Sequence, residues 1–181
     1  KGCKFISSSD SEVVIHAWKV WGESCFERFN GMFAIALYDA LSQKLVLARD
    51  RLGIKPLYFH HSEGEGLVFA SEIKALLAGL QPKQTAIDPI GLSQYLTYQN
   101  YFGQRTLREN VSMLPPGMLL VFGGQQVRIK PYWQLSFNNL DSDIAFDEAV
   151  DSYRETLGNS VRRHLMSDVP VASYLSAGFD S

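Results

Sequence analysis

The densest hydrophobic pattern in the chain lies between residues 30 and 59. Its apolar run, Met32 to Tyr38, has hydrophobic residues on both alternating faces, which is typical of a strand buried on both sides. Polar turn residues follow, and Leu45 to Ala48 begins a second apolar strand. The charged loop Arg49 to Tyr58, which contains glycine and proline, leads into a third strand. The pattern predicts a buried sheet that carries a polar loop, an arrangement that often positions binding residues.

Further helices and strands are predicted on both sides of this region. Ser9 and Glu12 fit a capping box, in which each side chain accepts the other residue's backbone N–H, at the start of a first helix. The apolar stripe of that helix should pack on the sheet, and it consists of Val14, Ala17, Trp18 and Trp21. The other predicted elements are a short helix at 24–29, a hairpin of 57–60 with 67–70, helices at 72–78 and from 89 to about 98, and a hairpin of 118–122 with 127–130.

The C-terminal part of the chain follows a different pattern. Residues 136–144 are interpreted as a linker, because they are polar, turn-rich and without periodicity. A long amphipathic helix follows, with an apolar side formed by Phe146, Val150, Tyr153, Leu157, Val161 and Leu165. Val171 to Leu175 is predicted to be a short strand that leads into a loop of small residues. This order indicates the start of a parallel α/β domain at 145–181, after a first domain at 1–135.

Composition excludes several classes of function. Apolar residues make up 46% of the chain and charged residues 20%, as in folded proteins. The net charge of −2 gives no indication of a nucleic-acid partner. No apolar run of membrane-spanning length and no leader pattern is visible, so no membrane partner is expected. Cys3 and Cys25 do not form a disulfide framework, and the cytoplasm is the expected location.

The strongest chemical signal is the pattern Ser-x-Gly-x-Asp-Ser at residues 176–181. Small residues let backbone N–H groups approach an anion, and the hydroxyls of Ser176 and Ser181 can donate to it. An ordinary strand-to-helix turn has a similar composition. The six residues alone therefore leave both interpretations open.

Other polar residues are weaker candidates. Asp10 lies at the start of the first helix, where the helix dipole alone favours a carboxylate. The cluster Arg49–Lys55 could clamp an anion or form an ion network, although exposed ion pairs contribute little to stability. His60 and His61 are adjacent on a predicted strand and point to opposite faces, so they cannot share a metal. No metal site is predicted.

A series of short motifs occurs in one order along the chain: Ser9–Val13, Asn30–Ala34, Ala48–Tyr58, Ala70–Leu76, Leu114–Gly117, Tyr132–Trp133, Ser167–Pro170 and Leu175–Ser181. Together, though not singly, they resemble the glutamine-hydrolysing asparagine synthetases. The likeness covers essentially the whole chain. Because the chain starts without Met and stops in a loop that opens a structural unit, we interpret it as an internal piece of a longer enzyme.

The resemblance implies an α+β fold. The first domain is expected to be a four-layer αββα domain of the N-terminal-nucleophile hydrolase type, truncated at its N-terminus, with two stacked antiparallel sheets between helix layers. The second is expected to begin an α/β ATP-pyrophosphatase domain. In such enzymes glutamine hydrolysis supplies ammonia to an aspartyl adenylate made from aspartate and ATP with Mg²⁺. The products are asparagine, AMP and pyrophosphate.

The resemblance also implies roles for particular residues. Asp10 matches the aspartate that binds the α-amino group of glutamine. The matches to the ATP-binding loop are Leu175, Ser176, Gly178, Asp180 and Ser181. The cysteine nucleophile, the arginine loop and the Asn-Gly oxyanion donors of the family are absent, and Cys3 is too far along the chain to replace the nucleophile. No catalytic residue is therefore assigned, and these residues by themselves are expected to be inactive.

Two alternatives stay open. Relatives of this architecture amidate other carboxylates, and the acceptor-binding residues lie beyond Ser181. A non-catalytic glutaminase-like interaction module is the second alternative, and Ala177 favours it slightly because the family has glycine at this loop position. Oligomeric state is also open, a homodimer of the intact enzyme included.

Overall fold

The computed structural model describes residues 2–80, 86–138 and 144–179. The chain divides into two compact units, Lys1–Leu135 and Ser136–Ser181. Part of the predicted linker, residues 139–143, lies outside the described residues. The predicted domain limits therefore stay a prediction. Among the residues that the structure describes, no helix combines the length and the apolar character needed to cross a membrane.

The first unit is an α+β structure with two antiparallel sheets. Its elements are α1 Asp10–Trp21, a 3₁₀ helix Gly22–Arg28, β1 Ala34–Asp39, β2 Lys44–Arg49, β3 Tyr58–Ser62, β4 Gly66–Ala70, α2 Ile73–Ala78, α3 Pro89–Tyr98, β5 Ser112–Met113, β6 Met118–Gly123 and β7 Gln126–Pro131. One sheet has the order β1-β2-β6-β7 and the other the order β4-β3-β5. All neighbouring strands are antiparallel. The predicted fold class is confirmed.

Two hydrophobic cores lie on opposite faces of the four-stranded sheet. The core toward the three-stranded sheet contains Leu47, Leu57, Phe59, Leu114 and Leu120. The core toward α1 and the 3₁₀ helix contains Ala17, Cys25, Phe26, Val46, Ala48, Leu119 and Val121. Successive residues of β2 and β6 thus enter alternate cores, as the two-residue period of a strand requires. With α2 against β3 and β4, the layers follow the order helix, sheet, sheet, helix.

The first strand differs from its prediction. β1 is an edge strand whose described partner is β2, and its residues are half-buried or exposed. Tyr38 is 62% exposed. Burial on both faces belongs instead to β2, where Val46, Leu47 and Ala48 are fully buried. A strand that is apolar on both faces can lie at the edge of a sheet or in its middle. The sequence pattern does not distinguish these positions, because it does not reveal how many strands flank the strand.

The start of α1 confirms Ser9 as the N-cap, but neither bond of the predicted capping box between Ser9 and Glu12 is present. Ser9 is the N-cap, and its Oγ accepts the N–H of Ser11 at 3.3 Å. The predicted role of Glu12 is wrong, since its carboxylate accepts the N–H groups of Ile6 at 2.9 Å and Ser7 at 2.8 Å. These bonds, with one from the Ser7 hydroxyl as the largest cause, lower the pKa of Glu12 to about 2. Glu12 therefore fastens the segment before the helix.

The second unit contains α4, Phe146–His164, as the sequence predicts. Its apolar side is largely exposed, with Phe146 at 81% and Tyr153 at 67% exposure. The predicted strand Val171–Leu175 is wrong, because these residues have irregular backbone. A strand needs a neighbour to accept and donate its backbone hydrogen bonds, and the described residues of this unit provide none.

Candidate functional site

Asp10 lies at the edge of a cavity of about 740 Å³ in the first unit. As the first residue of α1 it is exposed, and the cap at Ser9 fixes the turn that carries it. The cavity is lined by Asp10, Ser11, Val13 and Val14 of α1, by residues 28–35, by Lys55 and Pro56, and by Ser71. Segments that are far apart in sequence thus meet beside the one glutamine-binding residue that the sequence predicts.

The cavity combines opposite charges with an apolar wall. The Asp10 carboxylate and the cations Arg28 and Lys55 line it, together with Met32 and Phe33. A free α-amino acid carries one ammonium and one carboxylate group, and charge-assisted hydrogen bonds to such groups are stronger than neutral ones. A concave site with few polar groups and apolar walls is typical for small ligands. The arrangement can therefore hold a small zwitterion with its ammonium at Asp10.

Asp50 is the most completely hydrogen-bonded carboxylate beside this cavity. It is 1% exposed and accepts four backbone N–H groups. The donors are Leu52 at 3.2 Å and Ile54 at 2.9 Å to Oδ1, and Phe33 at 3.2 Å and Lys55 at 2.9 Å to Oδ2. Burial alone would raise the pKa of Asp50, but the four donors hold this pKa below its ordinary value. Asp50 therefore stays ionised. Its carboxylate accepts hydrogen bonds from the backbone and does not transfer protons.

The neighbouring arginines bind backbone carbonyls. Arg49 is 6% exposed and donates to the carbonyl oxygens of Lys55 at 2.8 Å, Leu114 at 2.7 Å and Gly53 at 2.7 Å. Arg51 donates to those of Phe29 at 2.6 Å and Glu27 at 2.7 Å. The structure therefore supports neither an anion clamp nor an ion network for Arg49, Asp50 and Arg51. Arg49 and Asp50 brace the loop that follows β2, and Arg51 holds the segment before β1.

The C-terminal loop is exposed in the structure. Leu175 is 85% exposed, and the Oγ atom of Ser176 accepts the N–H of Gly178 at 3.2 Å. Asp180 and Ser181 lie outside the described residues. The ATP-binding role of this loop therefore stays a prediction.

The cysteines and histidines offer little chemistry. Cys25 is fully buried, and burial raises the pKa of its thiol to about 11, so it is un-ionised at neutral pH. Cys3 is exposed. As predicted, His60 and His61 face opposite ways, since His60 Nδ1 lies 2.7 Å from the carbonyl oxygen of Asn110 and His61 packs on the ring of Phe122. Within the described residues, no group of three or more His, Cys, Asp or Glu could hold a metal.

Asp10 was predicted from the sequence as a glutamine-binding residue, but the position of the other lining residues beside it was not. Lys55 and Ser71 line the same cavity, although they lie far along the chain from Asp10. Both occur within motifs that carry the family resemblance. Their proximity to Asp10 arises from strand pairing and helix packing, which no local pattern records.

Comparisons with known proteins agree with this architecture. Residues 1–133 match the family model described as glutamine amidotransferase domain, and residues 152–181 match asparagine synthase. Asparagine synthetase [glutamine-hydrolyzing] 3 of Bacillus subtilis is 37% identical over 100% of this chain and 29% of that protein. Amidase chyE of Penicillium rubens is 39% identical over 98% of this chain and 26% of that protein. The chain thus spans under a third of the length of these relatives.

A solved structure supports the fold alone. The allosteric regulatory enzyme of purine biosynthesis aligns with a TM-score of 0.51 at 20% sequence identity. The alignment covers 93% of this chain and 33% of that chain. At this identity the likeness concerns the arrangement of helices and sheets alone.

Proposed function

Since the chain belongs to the glutamine amidotransferase family, we propose that it is part of an ATP-dependent asparagine synthetase. In this proposal glutamine is hydrolysed at the Asp10 cavity, and the ammonia reacts with aspartate that ATP and Mg²⁺ have activated as an adenylate. The products are asparagine, AMP and pyrophosphate. The cytoplasm is the proposed location, and glutamine, aspartate and ATP are the proposed substrates.

One observation carries the glutaminase half of the proposal, namely the position of Asp10 at a cavity large enough to admit an amino acid. The Asp10 carboxylate holds the α-ammonium group of glutamine through a charge-assisted hydrogen bond. Met32 and Phe33 line the same cavity and give it an apolar wall. The chain's own residues thus bind and orient glutamine. No residue of the chain is assigned as the nucleophile.

The match of residues 152–181 to asparagine synthase supports the second half. Ser176 and Gly178 belong to a loop of small residues, whose backbone N–H groups can approach a phosphate closely. In the proposal this loop, Ser176–Ser181, holds the phosphates of ATP, and Leu175 lies beside the adenosine. The described residues show no metal-ligand cluster, so Mg²⁺ is proposed only as the partner of ATP.

Product analysis of the full-length protein tests the proposal. The protein is incubated with glutamine, ATP, Mg²⁺ and aspartate, and glutamate, AMP, pyrophosphate and asparagine are quantified by mass spectrometry. We expect asparagine, AMP and pyrophosphate in equal amounts, with pyrophosphate release dependent on aspartate. If no amino acid acceptor elicits AMP and pyrophosphate, the proposal is lost.

A second candidate function has the same glutamine- and ATP-dependent chemistry, but a carboxylate other than aspartate is amidated. The relative from Penicillium rubens is named an amidase rather than an asparagine synthetase, at similar identity to this chain. A panel of carboxylate acceptors in the same assay separates the two candidates. Amidation of another carboxylate in preference to aspartate favours the second. Absence of both glutamine hydrolysis and ATP cleavage favours a non-catalytic module.

A further inference from the structure

Two adjacent residues hold both ends of one wall of the Asp10 cavity. Arg51 donates to the carbonyl oxygens of Glu27 at 2.7 Å and Phe29 at 2.6 Å, at the start of the wall. At its end, the N–H of Asp50 donates to the carbonyl of Phe33 at 2.9 Å, and the N–H of Phe33 donates to Asp50 Oδ2 at 3.2 Å. The segment Glu27–Phe33 is therefore fixed from the loop that follows β2.

The middle of this wall lacks regular structure. Residues 30–32 lie between the 3₁₀ helix and β1 and belong to neither element. They nevertheless line the cavity, next to Phe33. Backbone without a helix or sheet ladder keeps one conformation only where other contacts hold it. The contacts with Asp50 and Arg51 supply that constraint at both ends.

The same carboxylate also fixes a second wall. Asp50 Oδ2 accepts the N–H of Lys55 at 2.9 Å as well as that of Phe33. Lys55 and Pro56 line the cavity with Phe33. One buried oxygen atom thus joins two walls, so its position sets the distance between them.

We propose that Asp50 and Arg51 are positioning residues that set the width of the Asp10 cavity and thereby its affinity for glutamine. The inference rests on the proposed glutaminase function. Arginine suits this role because its planar fork can reach two carbonyl groups at once, whereas the single ammonium of lysine cannot reproduce both contacts in the same geometry.

Arg51 variants of the full-length protein test the proposal, because Asp50 variants are expected to lose much of their stability. Arg51→Met should raise the glutamine KM roughly tenfold with a smaller change in kcat, since a displaced wall weakens binding and orientation. Arg51→Lys should give a smaller rise in KM. Synthesis from added ammonia, which bypasses glutamine, should keep its rate in both variants.

Thr106→Val is the matched control. Thr106 is 2% exposed, its hydroxyl donates to the carbonyl of Val111 at 2.8 Å, and it does not line the Asp10 cavity. The substitution should lower the melting temperature and leave the glutamine KM unchanged. If the KM of both Arg51 variants equals that of Thr106→Val, the positioning role is overturned.

Amide hydrogen exchange separates this proposal from the proposed function. Exchange at the amide of Phe33, which donates to Asp50 Oδ2 at 3.2 Å, should be faster in Arg51→Met than in the wild type or Thr106→Val. Unchanged exchange there would refute the positioning role, whether or not the protein hydrolyses glutamine. A wild-type protein that hydrolyses no glutamine would refute the proposed function instead. If Arg51→Met does not fold, the glutamine KM and the amide exchange are measured on Arg51→Lys alone, and the same outcomes decide.

Discussion

Asp50 and Phe33 exchange two hydrogen bonds across the end of β2. The N–H of Asp50 donates to the carbonyl oxygen of Phe33 at 2.9 Å, and the N–H of Phe33 donates to Asp50 Oδ2 at 3.2 Å. Three further backbone N–H groups, from Leu52, Ile54 and Lys55, donate to the same carboxylate. A single buried side chain therefore organises the segment before β1 and the loop after β2.

Replacement of the Asp50 carboxylate should destabilise the protein. Asp50→Asn turns one acceptor oxygen into an NH₂ group that faces two backbone N–H donors. Because buried donors without a partner are penalised, the free energy of unfolding should fall by about 3 kcal/mol or more. Urea denaturation measures the loss. Asp39→Asn, at the end of β1, is the control and should cost less, and equal losses in the two variants would contradict the account.

The stability of the protein should depend on the charge of Asp50 at acid pH. The pKa of Asp50 in the folded state lies below its ordinary value, which is about 3.9. The stabilisation from this group is thus present above the unfolded-state pKa and is lost as pH falls through the folded-state pKa. Unfolding free energies measured from neutral pH to below pH 3 should therefore converge for wild type and Asp50→Asn. A constant difference would contradict this role of the charge.

Gly117 should not tolerate a side chain. Its φ is +67°, and a Cβ atom there would lie 2.6 Å from the carbonyl oxygen of Trp133. Gly124 has a φ of +58° with nothing within 4 Å of such a Cβ, so it serves as the control. Gly124→Ala should cost about 1 kcal/mol from backbone strain alone. Gly117→Ala should cost about 3 kcal/mol, since the clash adds to the strain. Equal shifts in urea denaturation would contradict the packing.

The two cysteines should differ sharply in reactivity. Cys3 is exposed, whereas Cys25 is buried with the pKa of its thiol raised to about 11. Because the thiolate is the reactive form, iodoacetamide near pH 8 should alkylate Cys3 and spare Cys25 until the protein unfolds. Peptide mass spectrometry locates the adducts. Cys3→Ser should remove labelling of the native protein, and native labelling of Cys25 would contradict its burial.

Local signals in the sequence predicted much of the fold. The helix predicted from residue 89 is α3, which begins at Pro89 after the N-cap Asp88, whose carboxylate accepts the N–H groups of Ile90 and Gly91. The predicted hairpin of 118–122 with 127–130 is present as β6 and β7, which pair across a turn at Gly124 and Gln125. These features depend on residues that are close together in sequence, and a sequence pattern shows such short-range relationships directly.

Features that depend on distant segments were not predictable. β2 pairs with β6 as well as with β1, which leaves β1 at the edge. The charge of Arg51 was visible in the sequence, but its acceptors are carbonyl groups of Glu27 and Phe29 that any residue type could supply. The strand Ser112–Met113 is too short to leave a pattern. Asp10 was therefore the one residue of this cavity whose role in glutamine binding was predicted from the sequence.

The glutamine KM of Asp10→Asn in the full-length protein tests the central claim most directly. Asp147→Asn, which removes a first-turn carboxylate from α4, is the matched control. Loss of a charged partner for the α-ammonium group should raise the KM for glutamine roughly tenfold to a hundredfold and leave ammonia-dependent synthesis unchanged. A glutamine KM for Asp10→Asn equal to that of the wild type and of Asp147→Asn would contradict the account.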